Sequence, residues 1–112
     1  MNNSRLAKVN DEIRKVVAEV LRSEIKDPRV PQMVSVIKAD TTNDLKYCKI
    51  WVSIMGDEDV KKEALAGIKS AAGFVRKRVA ESVNLRATPE FTFHIDDSLD
   101  HSDRINKLLN EI

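Results

Sequence analysis

Glycine is scarce: three in 112 residues, none of them in a G-x-x-x-x-G-K-S/T pattern, which excludes the loop that cradles nucleotide phosphates. Cysteine occurs once, so no internal disulfide can form, and Cys48 within YCKIWVSI has the setting of a strand residue facing a core. No apolar run approaches the roughly 20 residues that span a bilayer. The N-terminal MNNSRLAKVNDE also lacks the apolar centre of a secretory leader. Together these absences lead to the expectation of a cytoplasmic protein without a membrane partner. An excess of one charge is missing too, since 19 basic residues face 18 acidic ones for a formal net charge of +1. Any electrostatic specialisation must therefore lie in where the charges stand.

What is present is the composition of a folded domain, 42% hydrophobic and 33% charged. The length suits one core, and no repeat, low-complexity stretch or Gly/Ser-rich linker divides the chain. We expect one domain, residues 1–112. No heptad seam or long unprotected apolar surface is evident, so a monomer is expected.

From Arg5 to Ile25 the residues Leu6, Val9, Ile13, Val16, Val17, Val20 and Leu21 recur at helical spacing. Ser4 is a fair N-cap, and Asp27-Pro28 marks the stop. The polar face mixes Glu with Lys and Arg at pairing distances, as a self-neutralising solvated face does. Two β-rich runs follow, Met33–Asp40 and Leu45–Met55, on either side of Thr42-Asn43-Asp44, where Asn and Asp tolerate left-handed turn conformations. In the second run Cys48, Ile50, Val52 and Ile54 share the core face, opposite Tyr47, Lys49, Trp51 and Ser53. After Gly56-Asp57, Glu58–Ala71 reads as a helix with acids in its first turn. The series Leu65, Ile68, Ala72, Val75, Val79, Val83 continues in phase beyond it. Phe91, Phe93 and Ile95 then alternate with Thr92 and His94 in a third strand. A short terminal helix carries Ile105, Leu108, Leu109 and Ile112 behind four aspartates. The order αββααβ plus a terminal helix implies an α+β sandwich.

Catalytic groupings are thin. Cys48 with His94 and His101 makes a poor nucleophilic set, because Cys48 is expected to be buried and no signature unites the three. The stretch HIDDSLDHSD, His94 to Asp103, invites a metal, but it lacks a calcium-loop pattern and any Cys pair or H-x-x-x-H. Its aspartates are accounted for by strand-end and helix-start chemistry. We expect no catalysis, no small-molecule substrate, no cofactor and no metal.

One segment breaks the helical rule. Gly73 in a helix interior costs on the order of 1 kcal/mol relative to Ala, so Ser70-Ala71-Ala72-Gly73 calls for a packing or a functional reason. A kink at Ala72-Gly73 would give the second half its own N-terminus, whose free N–H groups attract phosphate. Lys69, Gly73, Arg76 and Lys77 fall at helical spacing. Lys69, Arg76, Lys77, Arg78 and Arg86 meet only one acid, Glu81, for a local formal charge of +4. From Asp96 onward five acids face two bases. Such segregation suits an anionic polymer, although close helix packing beside a merely solvated basic cluster explains the residues about as well.

Helix, two strands, two helices joined at a small-residue kink and a third strand resemble the type II KH fold, an RNA-binding architecture whose usual GxxG is here replaced by Ala71-Ala72-Gly73 (Ala-x-Gly). The segments IKDPRV, DLKYCKIWVSIMGD, SAAGFVRKRV and LRATPEFTFHIDDSLDHSDRINKLL resemble the ribosome-binding factor A family in order and spacing. AAGFVR combined with R-x-x-P-E-F-x-F-x-x-D-x-S-L is far more specific than a basic helix. Departures are Thr42-Asn43, where Ser-Pro is common, and His101-Ser102, where an aromatic-Gly pair is common. The resemblance implies a non-catalytic factor that binds the free 30S subunit and its 16S rRNA during late maturation and pre-rRNA processing, above all in the cold. It also implies that Ala71, Ala72 and Gly73, with Ser70, form the kink, and that Lys69, Arg76, Lys77 and Arg78 contact RNA backbone. Arg86 and Arg29, each in a turn, are further candidates that could equally cap helix ends. Trp51 and Tyr47 on the mixed sheet face could stack on bases. The alternatives are a KH-like RNA binder without a ribosomal role, a peptide-binding module, and a small α+β enzyme.

Overall fold

The computed structural model describes residues 3–31 and 34–96. Its elements run α1 (Asn3–Ser23), β1 (Val34–Thr41), β2 (Tyr47–Ile54), α2 (Glu58–Ser70), α3 (Ala72–Ser82) and β3 (Glu90–Ile95). This is the expected αββααβ order, and the expected terminal helix lies outside the described residues. The sheet order is β1-β2-β3, with β2 antiparallel to β1 and parallel to β3. Cys48, Ile50, Val52 and Ile54 face inward from β2, as their alternation requires. Ile13 and Val17 of α1, Ile68 of α2, and Val75 and Val79 of α3 meet them in one fully buried core. On the other face Tyr47 and Lys49 are exposed, while Trp51 and Ser53 are half-covered.

Helix α1 already includes Asn3, so Ser4 lies inside it and is not its N-cap. Its regular ladder stops at Ser23, two residues before the expected Ile25, where the Ser23 hydroxyl donates to the Glu19 carbonyl at 2.8 Å. The polar face pairs with itself as anticipated: Asp11 meets Arg14 at 2.9 Å and Lys15 at 3.1 Å, and Glu19 meets Arg22. The amide oxygen of Asn10 also accepts the Thr41 N–H at 3.0 Å, occupying a donor of the edge strand β1.

The hairpin turn differs from its expected chemistry. Leu45, not Asn43 or Asp44, takes the left-handed backbone, with φ 62°. Asp44 instead accepts the Thr42 hydroxyl at 2.6 Å and the Lys46 N–H at 3.0 Å. Those bonds hold its carboxyl below the usual aspartate value, the Thr42 hydroxyl contributing most. The two strands also carry a bulge, in which Ile37 and Lys38 together oppose Trp51.

Between α1 and β1 the chain crosses the back of α2 at Gly67. A methyl group added there would stand 2.8 Å from Val30 Cγ2 and 3.3 Å from Arg29 Cβ, so only glycine permits this approach. The crossing is held by Asp27, whose carboxylate accepts Arg29 Nη2 at 2.6 Å, Arg29 Nε at 3.0 Å and the Arg29 backbone N–H at 2.9 Å. The Arg29 guanidinium is the main cause that lowers the Asp27 carboxyl from 3.8 to about 2, with its backbone N–H adding to it. A depressed carboxylate stabilises the fold above its unfolded value and ceases to do so as pH falls through its folded one. Asp27→Asn is therefore expected to melt below the wild type at pH 7. In thermal melts the gap should close as pH falls from about 4 towards 2; a gap independent of pH would refute the ionic role.

Candidate nucleic-acid interface

The helix expected to kink at Ala72-Gly73 is instead divided at Ala71, whose φ of −91° and ψ of 2° leave the helical range, and Ala72 and Gly73 already belong to α3. At its start the Asp57 carboxylate accepts the Val60 N–H, an ordinary cap. At the joint the Ala71 N–H closes α2 on the Ile68 carbonyl at 3.0 Å, and the Val75 N–H opens α3 on the Ala71 carbonyl at 2.9 Å. Alanine offers α3 no side-chain cap. The buried stripe nonetheless passes through the division: Ile68, Val75 and Val79 are fully buried and Val83 nearly so, with Leu65 and Ala72 half-buried against them. Each fully buried Val or Ile contributes about 1.5–3 kcal/mol, which outweighs the ~1 kcal/mol that Gly73 costs.

Gly73 itself is exposed, and a Cβ built on it would meet nothing within 4 Å. Packing thus gives no reason for glycine here, in contrast to Gly67. Lys69, Gly73, Arg76 and Lys77 are all exposed around the joint. Their circumstances differ. Lys69 and Lys77 have no carboxylate partner among the described residues. Arg76 spends one N–H on the Thr88 carbonyl at 3.0 Å, tying α3 to the turn before β3. Arg78 is turned the other way, where Nε meets Glu24 at 3.0 Å and Nη1 meets Glu81 at 2.7 Å, so it joins α3 to the end of α1. Arg29 belongs to Asp27 and only grazes Ser70 Oγ, at 3.4 Å. The Ser70 hydroxyl donates to the Ala66 carbonyl at 3.0 Å. Arg86 is exposed in the turn before β3.

Two clefts flank the joint. One, of about 340 Å³, lies between Lys69 and Ala72 on one side and Phe91, Thr92, Phe93 and His94 of β3 on the other. The second, of about 200 Å³, opens towards α1 beside Phe74. Phe74 is 41% exposed, a large apolar side chain left in water. Sequence reasoning passed over it, although its position one residue ahead of the buried Val75 places it off the apolar stripe and so signals exposure.

Of the sequence's candidate nucleophilic set, His101 lies outside the described residues and the other two members stand apart. Cys48 faces the core and His94 the opposite side of the sheet, so they form no dyad. Burial pushes the Cys48 thiol above its ordinary value, the wrong direction for a nucleophile. His94 accepts or donates to Thr92 Oγ1 at 3.0 Å and lies against Trp51 with ring centroids 4.9 Å apart. Most of the acidic stretch after His94 lies outside the described residues. Tyr47 is 54% exposed, whereas one side of Trp51 is taken by His94.

Comparison with known proteins agrees with the resemblance read from the motifs. The family profile of ribosome-binding factor A matches residues 5–109. Ribosome-binding factor A of Clostridium perfringens is 45% identical over 113 aligned positions, covering 100% of this chain and 97% of that one. The solution structure of a Thermotoga maritima protein, a putative ribosome-binding factor A, superposes with a TM-score of 0.73 at 30% identity, covering 84% of this chain and 90% of that one. The Thermus thermophilus ribosome-binding factor A coordinates fitted into a cryo-EM map of a 30S complex share the fold, with a TM-score of 0.65 at 19% identity, covering 79% of this chain and 91% of that one. With the profile matched over residues 5–109 and a relative 45% identical over the whole chain, the chain belongs to the ribosome-binding factor A family.

Proposed function

We propose that this protein binds the free 30S subunit and its 16S rRNA late in maturation, supports pre-rRNA processing and matters most in the cold, acting in the cytoplasm as a non-catalytic monomer. Family membership supports the ribosomal role, and the Thermus relative's placement in a 30S complex gives it a precedent. The observation that carries the interface is the bare backbone at Gly73 between two uncompensated lysines, Lys69 and Lys77. Glycine there serves no packing purpose, while a polyanion could approach the backbone closely. Arg76 keeps further N–H groups for phosphate beyond the one given to Thr88. Arg78 and Arg29 hold the elements that present this surface, and Arg86, exposed in the turn before β3, is a secondary contact in this reading. Such a role needs positioning and charge, and no bond-making residue.

In a strain lacking the protein, sucrose gradients of cold-grown cells should show excess free small subunits carrying unprocessed 16S rRNA. A normal profile would overturn the role. Lys69→Glu with Lys77→Glu should leave the melting temperature near the wild type, because neither side chain is engaged in the fold, yet weaken cosedimentation with 30S subunits. The salt dependence of binding should become shallower by roughly one to two in log–log slope, and an unchanged slope would remove these lysines from the interface. Gly73→Ala separates fold from binding in one residue: stability should rise by up to ~1 kcal/mol in denaturant melts while subunit affinity drops. Affinity that rises or holds with stability would show that no ligand approaches the backbone there.

A further inference from the structure

The two sides of the α2–α3 joint differ in their carboxylates. The cleft towards β3 is lined by Lys69, Ala72 and residues 91–94, with no acid among them. Glu24 and Asp27 line the cleft on the α1 side, with Lys26 between them. Both arginines that meet these acids are shared. Arg78 is divided between Glu24, 3.0 Å from Nε, and Glu81, 2.7 Å from Nη1. Arg29 is held by Asp27 at 2.6 Å, and its guanidinium is raised above its ordinary value by Asp27 first and by the charge of Glu63 as well. Four carboxylates, Glu24, Asp27, Glu63 and Glu81, thus stand with three cations, Lys26, Arg29 and Arg78, on the α1 side. On the β3 side Lys69 has no carboxylate partner among the described residues. A phosphate seeking Arg78 would have to displace a carboxylate and then lie beside it, and like charges set together in an interface oppose binding. The Glu24 side chain is 30% exposed and that of Glu81 48%, so this repulsion is felt at the surface.

We propose that Glu24 and Glu81 are specificity-determining residues, which by outnumbering Arg78 bar a phosphate backbone from the α1 side of the joint and so fix the side on which RNA passes. The assignment rests on the reading of the joint as an RNA contact. Its test is binding of the full-length protein to free 30S subunits, by cosedimentation, and to polyuridylate, by fluorescence anisotropy, at physiological salt. Glu81→Gln leaves Arg78 on Glu24 and so keeps the tie between α1 and α3. It should bind polyuridylate roughly 2- to 5-fold more tightly, the worth of one surface charge contact. The log–log salt slope should steepen by roughly 0.7 for a cation released to phosphate. Glu24→Gln with Glu81→Gln should melt lower yet bind polyuridylate more tightly still, a pairing of effects that an ion pair serving only the fold does not produce. Subunit affinity should rise less than polyuridylate affinity, so that preference for the subunit falls. Glu12→Gln is the control, an exposed acid about 18 Å along α1 from Glu24 and beyond the screening length of roughly 8 Å. It should bind like the wild type. Unchanged polyuridylate affinity in Glu81→Gln, an equal gain from Glu12→Gln, or an undiminished preference for the subunit would each overturn the proposal. If Lys69→Glu with Lys77→Glu still impairs subunit binding in that case, the RNA reading of the joint stands alone. No effect of the lysine pair would remove the RNA reading and this assignment with it.

Discussion

The buried stripe from Ile68 through Val75 and Val79 to Val83 is the constraint on which the rest depends. Two helices divided at Ala71 stay on one core because their apolar residues keep phase across the division. With that stripe buried, the residues between its members must face outward. Gly73, Phe74 and Lys77 are exposed for that reason, and the exposure is a consequence of core packing rather than an independent feature. The absence of a side-chain cap on α3 follows from the same arrangement, since a polar capping side chain would replace Ala71 at a half-buried joint.

Charge at the joint is shaped by tertiary contacts that a count along the chain does not see. The basic cluster Arg76-Lys77-Arg78 looks uniform in sequence, yet its three members face three ways. Arg78 meets Glu24, 54 positions earlier, while Arg76 meets the Thr88 carbonyl, 12 positions later. Among the described residues Lys77 has no partner of its own, and neither has Lys69 across the joint. The field at the surface is thus weaker than a local charge of +4 implies and more narrowly placed. A narrowly placed field draws an anion to the joint itself without fixing its register.

Much of the fold was legible because its signals are local. The alternation in β2, the stripe across α2 and α3, and the order of elements need only near neighbours. The α1 boundaries were less so: Ser4 looked like a cap because nothing marked the helix as starting earlier, and Asp27 looked like the stop although its carboxylate works with Arg29 in the crossing over Gly67. The left-handed residue of the hairpin was missed because Asp44 was assigned the backbone role, whereas its side-chain bonds to Thr42 and Lys46 pass that role to Leu45. At the joint the exposure of Gly73 and of the two lysines was legible, because it follows from the spacing of the buried stripe. Which arginines serve the fold was not, because their partners Glu24 and Thr88 are distant in sequence.

The division of labour between arginine and lysine has a physical basis. A guanidinium offers several N–H groups in a fixed fork, so it can bridge elements with directed bonds, as Arg78 does between Glu24 and Glu81 and Arg29 does on Asp27. An ammonium is a compact, well-hydrated charge on a flexible stem and gains less from such fixed geometry. Leaving Lys69 and Lys77 at the surface gives the joint attraction to phosphate with little directional preference. Lysines of that kind raise affinity for any RNA backbone and cannot select a site. Selection must then come from rigid groups at fixed positions. On the proposed reading the bare backbone at Gly73 is such a group, since without a side chain it is open to a close approach.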